Sequence, residues 1–175
     1  AVPGKRVGKV MMFLAWGAGI LLATHYFGAW ETRQHNPNPQ PQSTRTNGAL
    51  EVRLVGNRAG HYVADGRING EAVTFMLDTG ATQVALPQRL ADRLGLPRGL
   101  PITLDTANGR SQGWRTRLPS LQLGDIRLTD VPALIAPGME GDEVLLGMSA
   151  LRQLDFTQQD GTLAVSYTHL RAHET

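Results

Sequence analysis

Asp78 ends the apolar run Ala72-Val73-Thr74-Phe75-Met76-Leu77 and opens the turn Thr79-Gly80-Ala81-Thr82. An acid there sits on a tight turn leaving a buried strand. An aspartate acting in hydrolysis must be held rigidly, must approach a second acid, and must leave room for a water between the two. The strand-to-turn position supplies rigidity. Gly80 lacks a Cβ, so its backbone can come close to a partner loop and donate its N–H to the carboxylate. The Thr79 hydroxyl can tie the loop to a neighbouring backbone carbonyl. Two such carboxylates within hydrogen-bond distance cannot both ionise, so the pair shares one proton. One member then takes a proton from the trapped water while the other polarises the scissile carbonyl, with no covalent intermediate. Asp105, Asp125, Asp130, Asp142, Asp155 and Asp160 lie at turns or strand ends, and none has a second Asp-Thr/Ser-Gly context. The other half of the pair must therefore come from a second copy of the chain. Asp-x-Gly is also ordinary turn chemistry, so the context of Asp78 decides its meaning.

That context is a β-rich domain. From Ala49 onward, short runs of β-branched and aliphatic residues alternate with Gly, Asn and Asp turns, which predicts an all-β fold with few helices. Strands are expected near 50–55, 61–68, 71–77, 83–86, 101–105, 114–123, 126–136, 143–146, 154–157 and 162–166. Asn69-Gly70, Asn108-Gly109, Gly124-Asp125 and Asp160-Gly161 carry the residues that supply positive φ at hairpin turns. Two short helices are expected. Pro87 to Leu94 opens on proline and stops at Gly95, and Ser149 to Leu154 follows Gly147.

The ordered set of Asp78-Thr79-Gly80-Ala81, the apolar Val84-Ala85-Leu86-Pro87, and Val144-Leu145-Leu146-Gly147 before a short helix resembles the retropepsin-like aspartic proteases. It is most similar to their membrane-anchored, single-pass bacterial branch. The resemblance spans Ala49 to Val165 and implies a mainly β, retropepsin-like closed barrel or sandwich half-domain with one or two short helices. It implies that Asp78 is catalytic, with Thr79, Gly80, Ala81 and Thr82 supporting the loop, and that Leu145-Leu146-Gly147 is the structural signature before the C-terminal helix. It assigns the hairpin at Ala107, Asn108 and Gly109 to a flap covering a bound peptide, the alternative for Asn108-Gly109 being an ordinary type I′ hairpin. It further implies a homodimer with an Asp78/Asp78′ dyad, a peptide or protein substrate and no cofactor. The competing reading keeps the fold and groove as a non-catalytic, membrane-tethered peptide-binding module. The chain departs from retroviral relatives in a less glycine-rich flap tip.

The bulk composition fits this organisation. The chain has 175 residues, 41% hydrophobic, 18% charged, with a formal charge of +2, enough for one globular domain plus a targeting segment. Its arginines are scattered without an aromatic-interleaved basic run, which argues against a nucleic-acid partner. The absence of cysteine excludes a disulfide framework and a thiolate zinc site. His169 and His173 have helical metal-ligand spacing but sit in a tail without a third ligand, so no metal role is assigned to them.

At the N-terminus, Lys5, Arg6 and Lys9 precede an apolar stretch over residues 10–30 that is long enough to cross a bilayer, with Tyr26, Phe27 and Trp30 at its far end. No small-x-small cleavage site follows. A retained anchor is therefore expected over a cleaved signal peptide, with residues 1–9 cytoplasmic and the rest outside the inner membrane of a bacterium. Residues 31–48, with prolines at 37, 39 and 41, read as an extended polar linker unable to fold. The domain is expected over 49–166. Residues 167–175 read as a foreign-looking tail interrupting the last strand.

Overall fold

The computed structural model describes residues 3–168, which divide into a helical unit ending at His35 and a β unit beginning at Asn36. Helix α1 (Pro3–His35) is 33 residues long. At 1.5 Å per residue it extends about 50 Å, more than a bilayer core needs. Its apolar side chains, among them Phe13, Leu14, Trp16 and Leu21, are exposed. The helix has a mean hydropathy of 1.6 in its most apolar window, so it is long and apolar enough to cross a membrane. Thr24 and Thr32 donate their hydroxyls to the carbonyls of Ile20 and Gly28, which satisfies their polar groups without water.

The β unit contains β1 (Gln42–Thr46), β2 (Ala49–Val55), β3 (Tyr62–Ile68), β4 (Glu71–Leu77), β5 (Val84–Pro87), α2 (Gln88–Arg93), β6 (Pro101–Thr106), β7 (Gly109–Leu123), β8 (Ile126–Ala136), β9 (Glu143–Leu146), α3 (Met148–Leu151), β10 (Asp155–Gln159) and β11 (Thr162–Thr168). It is a mainly β architecture. Four strands form one sheet in the order β1-β2-β11-β10, and seven form the other in the order β3-β4-β9-β5-β8-β7-β6. The larger sheet curls until β3 meets β7 through Arg67↔Gln122 and Ile68↔Leu121, and β6 stays outside as an edge. Gly66 makes this junction possible, because a Cβ there would run into the Gln122 carbonyl and the Phe75 ring.

Alternation supplies the core. Phe75, Leu54, Ile68, Leu86, Leu118, Leu121, Ile126, Ile135, Leu146 and Leu151 are fully buried. Each such side chain contributes about 1.5–3 kcal/mol relative to exposure. The alternation slips once, in both long strands. Inward positions run Thr116 and Leu118, then Leu121 and Leu123 on β7; on β8 they run Ile126 and Leu128, then Val131, Ala133 and Ile135. The slip falls where Pro119 cannot donate to the ladder and Asp130 takes a left-handed φ of 53°. Arg117 clamps the bend by donating from Nη2 to both the Asp130 carbonyl (3.1 Å) and Oδ2 (3.0 Å). This contact raises the Arg117 pKa and lowers that of Asp130.

Several sequence expectations are corrected here. Residues 36–46 are not an unfolded spacer: Asn36 and Asn38 are buried, and Gln42–Thr46 pairs with β2 across an Asn47-Gly48 turn. Asn38 supplies the missing stability. Its Nδ2 donates to the carbonyls of Val55 and Val63 (both 2.8 Å), and its Oδ1 accepts from Val55 N (2.8 Å). Asn36 Nδ2 donates to Asp65 Oδ1 (2.8 Å), which also accepts from Thr74 Oγ1 (2.7 Å). The linker thus folds through amide hydrogen bonds in place of apolar burial. At the other end, Tyr167 and Thr168 continue β11 by pairing with Leu50 and Ala49, so the strand extends beyond 166; the remaining tail lies outside the described residues. The last helix is Met148–Leu151, earlier and shorter than expected.

Candidate active site

The Asp78 loop owes its shape to strand order. β9 lies between β4 and β5, parallel to the first and antiparallel to the second. The chain leaving β4 at Leu77 must therefore pass over the end of β9 to enter β5 at Val84. Asp78 begins that crossing. Leu146 and Gly147 lie beneath it, followed directly by α3.

The segment 146–149 holds the crossing from below. Asp78 N donates to the Leu146 carbonyl (3.1 Å), and Met148 N donates to the Ala81 carbonyl (2.8 Å). Val84 N donates to Ser149 Oγ (2.9 Å), which in turn donates to the Pro132 carbonyl (2.7 Å). Gly147 is required by space. A Cβ there would run into the Gln83 carbonyl and come within 2.8 Å of the Ala81 carbonyl oxygen. Within the loop, Ala81 N donates to the Asp78 carbonyl (3.2 Å) and Gly80 N to Asp78 Oδ1 (2.9 Å). A charge-assisted bond of that kind fixes the carboxylate rotamer.

Asp78 is partly buried, while Thr79, Gly80 and Thr82 beside it are exposed and Ala81 is partly covered. The loop is therefore rigid beneath and open above. Thr79 differs from expectation: its hydroxyl has no hydrogen-bond partner among the described residues of this chain, which leaves it available to a group outside the chain. Thr82 likewise shows no side-chain bond among the described residues.

Ala107, Asn108 and Gly109 form the exposed tip of the β6–β7 hairpin, where Thr106 pairs with Gly109. Thr106 Oγ1 donates to the Gly109 carbonyl (2.7 Å), and Arg110 pairs with Asp105 across the strands (3.2 Å). The tip is not a type I′ turn. Positive φ occurs at Gly109 (105°) and not at Ala107 or Asn108, whereas Asn69-Gly70 and Asp160-Gly161 have positive φ at both residues. The Cβ of Ala107 disfavours the left-handed region, so the glycine takes it instead. Among the described residues, no hydrogen bond or ion pair joins this tip to the Asp78 loop. The structure thus brings Asp78, Gly80, Ala81, Leu146 and Gly147 together and leaves the hairpin tip separate.

One contributor, Ser149, is legible in the sequence only as a helix-opening residue, a common composition at such positions. His169 and His173 lie outside the described residues.

The family model described as "gag-polyprotein putative aspartyl protease" matches residues 64–153, half of the chain, from within β3 through α3. A curated relative, the uncharacterized protein in the cobV 5′ region of Sinorhizobium sp, is 34% identical over 118 residues, which is 66% of this chain and 51% of that protein. The chain thus spans about half the length of this relative. Among solved structures, a retropepsin-like aspartic protease from Rickettsia conorii overlaps with a TM-score of 0.59 at 27% identity, covering 73% of this chain and 96% of that one. The Simian Foamy Virus (mac) protease gives a TM-score of 0.38 at 20% identity over 50% of this chain and 89% of its own, too slight a likeness to bear on the site. With the family match running through the Asp78 crossing and its Leu146-Gly147 support, the chain belongs to the bacterial retropepsin-like aspartic protease family.

Proposed function

We propose that the protein is an aspartic endopeptidase whose water-activating groups are Asp78 and the Asp78 of a second copy. One observation carries this reading. The single Asp-Thr-Gly turn is pinned from beneath by Leu146 and Met148, with Gly80 N on the carboxylate, while its upper face stays open. A rigid carboxylate on an open face is half of a site. Brought against its twin, it shares one proton, and the pair can deprotonate a water and polarise a peptide carbonyl in a single step. Thr79, whose hydroxyl finds no partner among the described residues, would bond across that interface. The tip Ala107–Gly109 would close over the bound peptide. The chemistry needs no cofactor.

Helix α1 would anchor the chain in a bacterial inner membrane, with Lys5, Arg6 and Lys9 on the cytoplasmic side and the β unit outside. Anchoring confines two copies to one surface and raises their effective concentration, so that a weak dimer can assemble. The test is digestion of a peptide library by the detergent-solubilised chain and by Asp78→Asn. The wild type should cleave with an acidic optimum, and the variant should be folded and inactive. Turnover by Asp78→Asn equal to wild type would overturn the assignment.

A further inference from the structure

We infer that Ser149 is a positioning residue for Asp78, an inference that rests on reading Asp78 as half of the catalytic pair. The crossing loop is held by the 146–149 segment at three places: Asp78, Ala81 and Val84. The first two holds use backbone groups and survive most substitutions. The third depends on one side chain, the Ser149 hydroxyl, which accepts from Val84 N at 2.9 Å and donates to the Pro132 carbonyl at 2.7 Å.

The hydroxyl stands at the entry to a ladder. The parallel pairing of β5 with β8 begins at Val84↔Ala133, with Pro132 just before it. Ser149 thus bridges the Val84 N–H to the Pro132 carbonyl and locks loop, β8 and α3 together. The neighbouring Ala150 and Leu151 are buried, and both donate their N–H to the Gly147 carbonyl, so α3 is itself fixed to the core. Through Ser149 the rigidity of the core reaches the far end of the loop. Without it, the stretch from Ala81 to Val84 is free to shift and Asp78 loses its constant separation from its twin. A reacting pair tolerates about 0.5 Å of misplacement. A displacement of about 1 Å costs on the order of 100-fold in rate.

The experiment compares Ser149→Ala, Ser149→Cys and Ser149→Thr in the full chain in detergent, alongside wild type and Asp78→Asn. Ser149→Ala should lose roughly 10- to 100-fold in kcat with KM held within about two-fold, because ground-state binding does not use the dyad separation. The limbs of its kcat–pH profile should move, since the distance between the carboxylates sets how they share the proton. Ser149→Cys keeps the volume but weakens both hydrogen bonds, so it should stay folded with an intermediate kcat, and it gives the readout if Ser149→Ala does not fold. Ser149→Thr retains the hydroxyl and should recover most of the rate. Wild-type kcat and pH limbs in Ser149→Ala, or parallel losses in kcat and KM in all three variants, would overturn the inference. If Asp78→Asn keeps turning over, the catalytic reading of Asp78 fails; if it is dead while the Ser149 variants match wild type, only the role of Ser149 fails.

Discussion

Replacing Gly147 by alanine adds one methyl beneath the crossing loop, and the geometry fixes what it must displace. The new Cβ would overlap the Gln83 carbonyl and lie within 2.8 Å of the Ala81 carbonyl oxygen. Both are backbone atoms, so no side-chain rotation relieves the clash. The loop must rise by roughly 1 Å, and overpacking of this kind costs about 1–3 kcal/mol. The same rise strains the Met148 N to Ala81 O bond and moves Asp78 relative to Leu146, whose carbonyl holds its amide. A misplacement near 1 Å costs on the order of 100-fold in kcat. Denaturant unfolding and steady-state peptide cleavage on the same preparation would measure both effects. A Gly147→Ala protein with unchanged midpoint and unchanged kcat would refute the claim that the loop is gripped from below.

Other consequences follow from the same structure. Asn38→Ala removes three side-chain hydrogen bonds to Val55 and Val63 and should lower stability by about 2–4 kcal/mol in thermal or denaturant unfolding, although Asn38 lies in a polar, proline-rich stretch. Asp130→Val should lower Tm more than Asp130→Gly, because both lose the Arg117 contact with the carboxylate and only valine also resists the left-handed φ. Arg117 holds the Asp130 carboxyl below its usual range. The contribution of that contact is present above the unfolded carboxylate pKa and is lost only as pH falls through the lower folded value. The pair should therefore stay charged across mildly acidic assay conditions, as an NMR titration of Asp130 would check. The full chain should sediment with membranes and resist alkaline carbonate, and a chain beginning at Asn36 should be released into the soluble fraction.

The strands and the acid loop were legible because their signals are local. Two-residue alternation marks Val73 and Phe75 or Ile126 and Leu128 as inward-facing, and an apolar run broken by Asp78-Thr79-Gly80 marks a strand turning outward. What escaped the sequence depends on distant partners. Residues 36–46 look unfoldable because they carry almost no apolar side chain, yet Asn38 is held by backbone groups on β2 and β3. The Asn47-Gly48 dipeptide was the available signal for the β1–β2 hairpin, since both residues take the positive φ that such turns need. Ser149 reads as an ordinary helix-opening serine until the fold sets it between Val84 and Pro132. The hairpin tip misled for a steric reason: an alanine preceding Asn108-Gly109 shifts the left-handed residue to Gly109.

The central claim is that two chains build one site, and mixing subunits tests it most directly. Wild-type chain at fixed concentration is equilibrated in detergent with increasing Asp78→Asn chain, and peptide cleavage is followed. If each active site needs one Asp78 from each copy, the inactive chain captures wild-type partners. With total chain kept well above the dimer Kd, activity should fall to about half at equal amounts and to about a tenth at roughly nine-fold excess. Cleavage that stays constant throughout the titration would mean that a single chain carries the whole site and would contradict the account.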